Sequence, residues 1–213
     1  MKKRILIALL AVLAAPASPA FADDSGTAVP AALTPAQKAD IVLIQNYLNS
    51  LKNVTADFLQ VDDAGGMLHG KMAISRPGKM RATYDPPDKD FVIADGDFVH
   101  IWNNDLKAQT NVEEGSSLAE FILRDPVKLS GDVTVTKFQT PPGLIDVTLE
   151  QTKDPAAGSL TLVFDNNPIE LRQWKVVDAE GHMTGVTLDN MTKVANFPDN
   201  YFFFVAPTFD NPS

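Results

Sequence analysis

The side chains of this chain that could carry out catalytic or metal chemistry are histidines, serines and carboxylates, because the chain contains no cysteine. The three histidines, His69, His100 and His182, are far apart in sequence, so they form no HExxH-type metal motif. No serine stands in a G-x-S-x-G context, and no glycine-rich phosphate-binding loop occurs. We therefore predict no metal site, no cofactor and no enzymatic activity.

A cluster of aspartates between residues 85 and 97 is the strongest candidate for acid–base chemistry, which needs a pair of carboxylates. Its members are Asp85, Asp88, Asp90, Asp95 and Asp97. Asp95 precedes Gly96 in a typical hairpin turn, and the other aspartates flank two consecutive prolines or follow the turn. The spacing also lacks the terminal glutamate of an EF-hand. The interpretation that we favour is a solvated loop.

Arg76 is a charged side chain at the end of an apolar row. Strand alternation places it on the same face as Leu68, Gly70, Met72 and Ile74. A buried guanidinium must be hydrogen-bonded, and its five donors suit main-chain carbonyls. The alternative is that Arg76 lies at the strand end beside Pro77 and reaches solvent.

The next apolar row, Met80, Ala82 and Tyr84, follows the turn at Pro77-Gly78. A two-residue loop would pair Ser75 with Met80 and turn this row to the polar face. We therefore predict a loop of odd length or a bulge, which Gly78 permits.

Composition limits the classes of partner. The 213 residues are 45% hydrophobic and 21% charged, which fits a single globular domain. The net charge of −9 argues against nucleic-acid binding and against unaided docking on an anionic membrane.

The N-terminus has the order of a secretory signal peptide. Basic residues 2–4 precede an apolar run over residues 5–15, and Ala20-Phe21-Ala22 matches a cleavage site. The alternative, a membrane anchor, needs about 20 apolar residues, and Pro16 and Pro19 interrupt this run. We predict cleavage after Ala22, export to the periplasm, a mobile segment over residues 23–33 and a single domain over 34–213.

One amphipathic helix opens the domain. Thr34-Pro35-Ala36-Gln37 is a capping box with proline at the first helical position. Ile41, Ile44, Leu48 and Leu51 recur at helical spacing, and the helix is predicted to end near Asn53.

Short alternating runs separated by turn residues follow the helix and predict an antiparallel meander. Leu160, Leu162 and Phe164 share one face of one strand. On the next strand, alternation assigns Leu171 and Trp174 to opposite faces. A second capping box at residues 117–120 predicts a short helix over 118–124 that is apolar on most sides. This helix either packs in an ordinary core or covers the sheet.

These elements, in this order, resemble the periplasmic outer-membrane lipoprotein carrier family (LolA-like proteins) from the first helix to the C-terminus. The most specific stretch runs from Gly70 to Tyr84 and resembles the family's strand, Arg-Pro turn and strand. Residues 57–60, the hairpin around Asp95-Gly96, and Tyr201-Phe202-Phe203-Phe204 as a last strand add to the match.

The resemblance implies a mainly β (α+β) fold, an incomplete antiparallel β-barrel whose N-terminal helix and short lid helix lie over an apolar cavity. It implies that Arg76 latches the lid. The residues that we expect to line the acyl-chain cavity are Phe58, Leu68, Met72, Ile74, Met80, Tyr84, Ile93, Trp102, Leu118, Phe121, Ile122, Leu160, Leu162 and Phe164. Met80 and Ala82 stand where the family often has aromatic residues.

The resemblance further implies a monomeric chaperone that takes lipoprotein acyl chains from an inner-membrane ABC transporter to an outer-membrane acceptor. An alternative is a lipid-sensing or regulatory periplasmic protein on the same scaffold, and such proteins usually carry an additional domain. A third hypothesis, an enzyme acting on an apolar substrate, would need a nucleophile or acid pair that the sequence does not supply.

Overall fold

The computed structural model describes residues 26–113 and 118–207. The predicted signal peptide, its cleavage site and Ser117 of the second capping box lie outside these residues. Helix α1 spans Pro35–Ser50 and begins at the predicted capping box. The Gln37 backbone N–H donates to Thr34 Oγ1 (3.3 Å), and the Thr34 N–H donates to Gln37 Oε1 (2.9 Å).

Eleven strands follow α1. They are β1 (Asn53–Asp62), β2 (Met67–Ser75), β3 (Lys79–Tyr84), β4 (Phe91–Asp95), β5 (Phe98–Asn103), β6 (Ala108–Glu113), β7 (Val133–Gln139), β8 (Leu144–Gln151), β9 (Gly158–Asn166), β10 (Ile169–Asp178) and β11 (Met183–Lys193). The predicted lid helix is a 3-10 helix over Leu118–Leu123, one residue shorter than expected. A second 3-10 turn, Pro155–Ala157, precedes β9.

The strands form one antiparallel sheet in the order β6-β5-β4-β3-β2-β1-β11-β10-β9-β8-β7. All neighbours in this order are also neighbours in sequence except β1 and β11, whose pairing joins the two halves of the meander. The strands β6 and β7 lie at the two edges, so the sheet is not closed. The predicted incomplete antiparallel barrel is confirmed.

The two faces of the sheet have different covers. We call the face under α1 the inner face, because α1 buries Ile44 and Leu48 against it. The lid helix covers the same face with Phe121 and Ile122, which are buried in the same apolar cluster. Since β6 leads into the lid helix and the lid helix leads to β7, the lid helix lies on the connection between the two sheet edges.

The C-terminal segment covers part of the outer face and forms no strand, so the prediction of a last strand over residues 201–204 is wrong. The chain leaves β11 at Val194, whose N–H bonds to the Asn53 carbonyl oxygen (3.0 Å). The Phe204 ring then packs beside Phe91 and His100, with ring centroids 5.7 and 5.1 Å away. Aromatic packing on the sheet thus replaces strand pairing at this end of the chain.

Part of the segment predicted to be mobile, residues 26–33, runs alongside β7. The Ala28 N–H donates to the Thr152 carbonyl oxygen (3.0 Å), and the Ala31 N–H donates to that of Val135 (2.9 Å). Its mobility stays a prediction, but these bonds give the segment a defined place at the β7 edge.

Gly70 creates space for an aromatic pair on the inner face. The rings of Phe58 and Tyr84 meet edge to face at 5.4 Å across Gly70. A Cβ at Gly70 would lie 2.7 Å from the Phe58 ring and would clash with the Thr83 carbonyl oxygen. Gly70→Ala is therefore expected to lower the free energy of unfolding by about 1–3 kcal/mol, the usual cost of overpacking. Urea denaturation measures the change.

Gly185→Ala is the matched control, because a Cβ at that strand position would meet nothing closer than the Gln173 amide nitrogen at 3.4 Å. An equal loss of stability in both variants would contradict the steric explanation.

Candidate functional site

The inner face of the sheet, α1 and the lid helix enclose one apolar cluster. Most side chains predicted to line an acyl-chain cavity meet in it: Phe58, Met72, Ile74, Met80, Tyr84, Phe121, Ile122, Leu160, Leu162 and Phe164. Leu68 packs at its margin, and the side chain of Leu118 lies outside the described residues. Met80 and Ala82 are both fully buried here.

Ile93 and Trp102 lie elsewhere. Val92 and Ala94 on β4, with Val99 and Ile101 on β5, belong to the inner cluster. Alternation therefore turns Ile93 and Trp102 to the outer face, where the Trp102 ring stacks on Phe91 at 6.2 Å. We call the apolar side chains on the inner face the inner wall, and Ile93 and Trp102 are not part of it.

A small cavity of about 20 Å³ remains between the sheet and its cover, which is room for about one water molecule. Its lining residues are Leu51, Val54, Ala56, Met72, Ile74, Arg76, Ile122, Leu171, Trp174, Leu188 and Met191. The space between the inner wall and its cover is therefore mostly apolar and almost filled by side chains. An acyl chain can enter only when the cover moves.

Sequence alternation missed Leu171 and Trp174 as neighbours in this lining. A register shift between Leu171 and Gln173 forms a β-bulge in β10. The extra residue, Arg172, places Leu171 and Trp174 on the same face, whereas strict alternation assigned them to opposite faces. The sequence contains no turn residue that would have indicated this bulge.

Arg76 joins the sheet to both covering elements. Its Nε donates to the Ile122 carbonyl oxygen in the lid helix (2.6 Å), and one Nη donates to the Leu48 carbonyl oxygen near the end of α1. Both acceptors are main-chain oxygens at helix ends, where carbonyls attract positive charge; that of Leu48 also accepts from the Leu51 N–H (3.2 Å). Of the two sequence alternatives, the structure has the hydrogen-bonded arginine.

The loop that carries Arg76 has the predicted odd length. Ser75 pairs with Lys79 and Ile74 with Met80, so residues 76–78 form a three-residue turn that keeps both apolar rows on the inner face. Gly78 adopts φ +74° and donates its N–H to the Leu123 carbonyl oxygen (3.0 Å). Burial lowers the pKa of Arg76 to about 10, so the guanidinium remains protonated at neutral pH.

Polar side chains of α1 bind the segment after the lid helix, and sequence analysis missed them. Asn49 pairs with Val127 through two bonds, from its Nδ2 to the carbonyl oxygen (3.0 Å) and from the Val127 N–H to its Oδ1 (2.8 Å). Gln45 Oε1 accepts from the Leu129 N–H (3.1 Å). The sequence did contain a signal for them: Gln45 and Asn49 follow the apolar Ile44 and Leu48 and lie one helical turn apart. We call α1 together with residues 118–129 the lid.

Asn49→Ala should loosen the lid without unfolding the sheet. The two bonds to Val127 each contribute about 1 kcal/mol, so we expect amide exchange at residues 127–129 to be roughly tenfold faster or more. Hydrogen–deuterium exchange measures this rate. Asn46→Ala, at an exposed position of the same helix, should leave it unchanged; equal acceleration in both variants would contradict the role of Asn49.

Tyr47 fixes α1 to the opposite half of the sheet. Its hydroxyl accepts from the Leu171 N–H (3.1 Å) and lies 4.0 Å from Met191 Sδ. Its ring packs edge to face on Phe164 at 6.3 Å. Burial raises the pKa of the Tyr47 hydroxyl, so it stays protonated. The lid therefore contacts both halves of the sheet, through Arg76 on one side and Tyr47 on the other.

The aspartate cluster forms turns. Asp95 Oδ1 accepts from the N–H groups of Asp97 and Phe98 (3.0 and 2.9 Å), and Asp90 Oδ1 accepts from that of Asn104 (2.6 Å). Within residues 26–113 and 118–207, no group of three or more histidines and carboxylates is arranged to hold a metal ion. None of the helices in these ranges is long and apolar enough to span a membrane.

Comparison with known proteins agrees with this geometry. The family model described as "Outer membrane lipoprotein carrier protein LolA" matches residues 49–205. The chain belongs to this LolA family. The match includes the Arg76 turn, the lid helix and all eleven strands, so it covers the whole inner wall.

Relatives of the chain are divergent. An outer-membrane lipoprotein carrier protein of Pseudomonas fluorescens is 28% identical over 214 residues, covering 96% of each chain. An uncharacterized protein of Rickettsia prowazekii is 27% identical over 168 residues, covering 79% of this chain and 78% of the relative. The structure of a LolA superfamily protein from Nitrosomonas europaea covers 80% of this chain and 98% of its own, with a TM-score of 0.42 and 8% identity.

Proposed function

We propose that this LolA family member is a periplasmic chaperone that holds lipoprotein acyl chains against its inner wall. It takes them from an inner-membrane lipoprotein-releasing ABC transporter and delivers them to an outer-membrane acceptor. The observation that carries the proposal is Arg76, whose two hydrogen bonds close α1 and the lid helix over an apolar wall. We propose that these bonds form a latch that opens for cargo.

The energetics suit uptake and release. Each buried CH₂ contributes about 0.8 kcal/mol, so several half-buried acyl chains supply on the order of 10 kcal/mol. Opening the lid costs the hydrogen bonds of Arg76, about 1.5–3 kcal/mol each for a charged donor, and exposes Phe121 and Ile122. The closed state therefore competes with cargo and lowers its net affinity, which favours transfer to an acceptor.

Export is part of the same proposal. Residues 1–22 are inferred to be a signal peptide removed after Ala22, and the mature chain is inferred to work as a monomer in the periplasm. The intact mass of protein purified from periplasm tests the cleavage, because a mature N-terminus at Asp23 gives a defined mass.

Acyl carriage in this proposal needs no catalytic group. Asp90 and Asp95 of the aspartate cluster accept main-chain N–H bonds in turns, and the cavity lining contains no serine, histidine or carboxylate. Single substitutions of serine, histidine and acidic residues are expected to preserve cargo transfer. Loss of transfer in a folded variant of this kind would instead favour an enzyme.

Native mass spectrometry of protein purified from periplasm without detergent tests carriage. We expect a bound acylated lipoprotein that is lost when detergent is added. Incubation with inner membranes loaded with a lipoprotein should give the same complex, and a cargo variant whose acylated cysteine is replaced should not. A bare mass under every condition would contradict carriage and favour the sensory alternative.

A further inference from the structure

Two of the eleven side chains that line the cavity carry N–H donors, those of Arg76 and Trp174. The Arg76 donors already bond to the lid, to the carbonyl oxygens of Ile122 and Leu48. Trp174 belongs to the sheet, on β10, where it pairs with Leu162 of β9 and Val186 of β11. Trp174 therefore stays in the wall when the lid moves.

The indole N–H of Trp174 is buried and has no hydrogen-bond partner among the described residues. The whole side chain is only 1% exposed, and it is among the largest fully buried ones. A buried donor without a partner destabilises a fold, which is why nearly all such groups are paired. The buried hydroxyl of Tyr84 follows that rule, since it bonds to Gln60 Oε1 (2.8 Å).

Packing alone does not explain this donor. A phenylalanine would give the wall an aromatic ring without an unpaired N–H. The unpaired oxygen Asp146 Oδ1 is a different case, because Asp146 lies between the inner-facing Ile145 and Val147 and so faces outward. Trp174 thus combines an unpaired donor with a place in the lining of the apolar cavity.

An ester carbonyl is the ligand group that fits such a donor. It accepts a hydrogen bond, carries no charge and is attached directly to an acyl chain, so it can enter an apolar wall at little desolvation cost once it is bonded. An alkyl ether at the same position lacks the carbonyl oxygen. The diacylglyceryl group supplies this chemistry, whether it belongs to a lipoprotein or to a phospholipid.

We propose that Trp174 Nε1 donates a hydrogen bond to an ester carbonyl of the bound diacylglyceryl group, so that the wall distinguishes acyl esters from alkyl ethers. This inference rests on the proposed acyl-chain carriage. It makes Trp174 a specificity-determining residue, whereas Arg76 controls opening.

Binding of two matched lipopeptides tests the proposal. One carries a diacylglyceryl cysteine with two palmitoyl esters, and in the other both esters are replaced by hexadecyl ethers. We expect the wild-type protein to bind the diester roughly tenfold more tightly, because the site rejects a ligand that leaves its donor unpaired. Equal affinities in the wild-type protein would overturn the proposal without any variant.

Trp174→Phe should bring the ratio of the affinities for the diester and the diether close to one, mainly by weakening binding of the diester. Trp102→Phe is the matched control, because Trp102 is the other of the two tryptophans and lies on the outer face. It should keep the wild-type ratio. A ratio that survives in Trp174→Phe would assign the preference to another group and overturn the role of Trp174.

The indole N–H resonance of Trp174 provides a second readout that a merely structural role would not give. It should shift downfield with the diester and not with the diether. A diester phospholipid compared with its diether analogue identifies the source: a preference for the ester there too extends the site to membrane phospholipids, and binding of the lipopeptide alone restricts it to lipoproteins. Binding of no probe overturns acyl carriage, whereas tight but equal binding overturns only the inference about Trp174.

Discussion

Arg76→Leu is expected to produce a folded protein that retains its cargo. The change removes the bonds to the Ile122 and Leu48 carbonyl oxygens, which in the proposed latch stabilise only the closed state. At about 1.5 kcal/mol or more for each bond, the closed state loses ~3 kcal/mol, which corresponds to about a hundredfold higher affinity for acyl chains. Lipoprotein should therefore accumulate on the variant.

Cargo occupancy in native mass spectra, with transfer to outer membranes as a second measurement, checks this expectation. Arg172→Leu is the matched control, because Arg172 is exposed on β10 and bonds to Asp165 at the sheet surface (2.5 Å). Arg76→Lys should resemble the leucine variant in part, since a single ammonium cannot reproduce a planar fork that reaches two helices. Equal occupancy in Arg76→Leu and the wild-type protein would refute the latch.

Phe121→Glu is expected to weaken acyl uptake strongly. The Phe121 side chain is fully buried in the lid helix, within the apolar cluster. A carboxylate there opens the lid, because burying an unpaired charge is very costly, and it also lines the opened wall with a charged group. We expect acyl binding about a hundredfold weaker, or ~3 kcal/mol.

The two variants thus separate the effect of opening the lid from the effect of a charge in the acyl-binding site. We expect both to release the lid, but Arg76→Leu should gain cargo and Phe121→Glu should lose it. Titration with a fluorescent acyl probe measures both. Phe121→Leu keeps the wall apolar and should retain uptake, and Phe203→Glu makes the same change at a side chain that is 58% exposed. Normal uptake by Phe121→Glu would mean that the lid helix does not line the acyl-binding site.

Local sequence signals predicted the elements and the position of Arg76 well. The capping box at Thr34 begins α1 as expected, and turn residues mark the ends of most strands. Alternation along residues 68–76 placed Met72, Ile74 and Arg76 on one face, because adjacent residues of a strand point to opposite sides. The odd loop length followed from the same rule, since only an odd loop keeps Met80 with Ile74.

The sequence-based predictions failed where the placement of a residue depends on distant parts of the chain or on an interruption of strand alternation. Ile93 and Trp102 are buried on the outer face, where the C-terminal Phe204 packs beside Phe91 and His100, and periodicity does not say which of two apolar faces is the inner one. The bulge at Arg172 shifts alternation by one residue and brings Trp174 beside Leu171. The aromatic residues 201–204 suit a strand by composition, yet they form none: the Phe204 ring packs on the sheet beside Phe91 and His100, whereas Phe203 is exposed.

The sequence by itself determined the helix, the meander of short strands, the apolar rows and an arginine that needs partners on an apolar face. These features depend on residues within a few positions of one another. The tertiary structure decided what those features do. Pairing of β1 with β11 makes β6 and β7 the edges and so sets the path of the lid helix between them. The acceptors of Arg76 are main-chain carbonyls 28 and 46 residues away, and every residue carries such a carbonyl, so only folding selects these two.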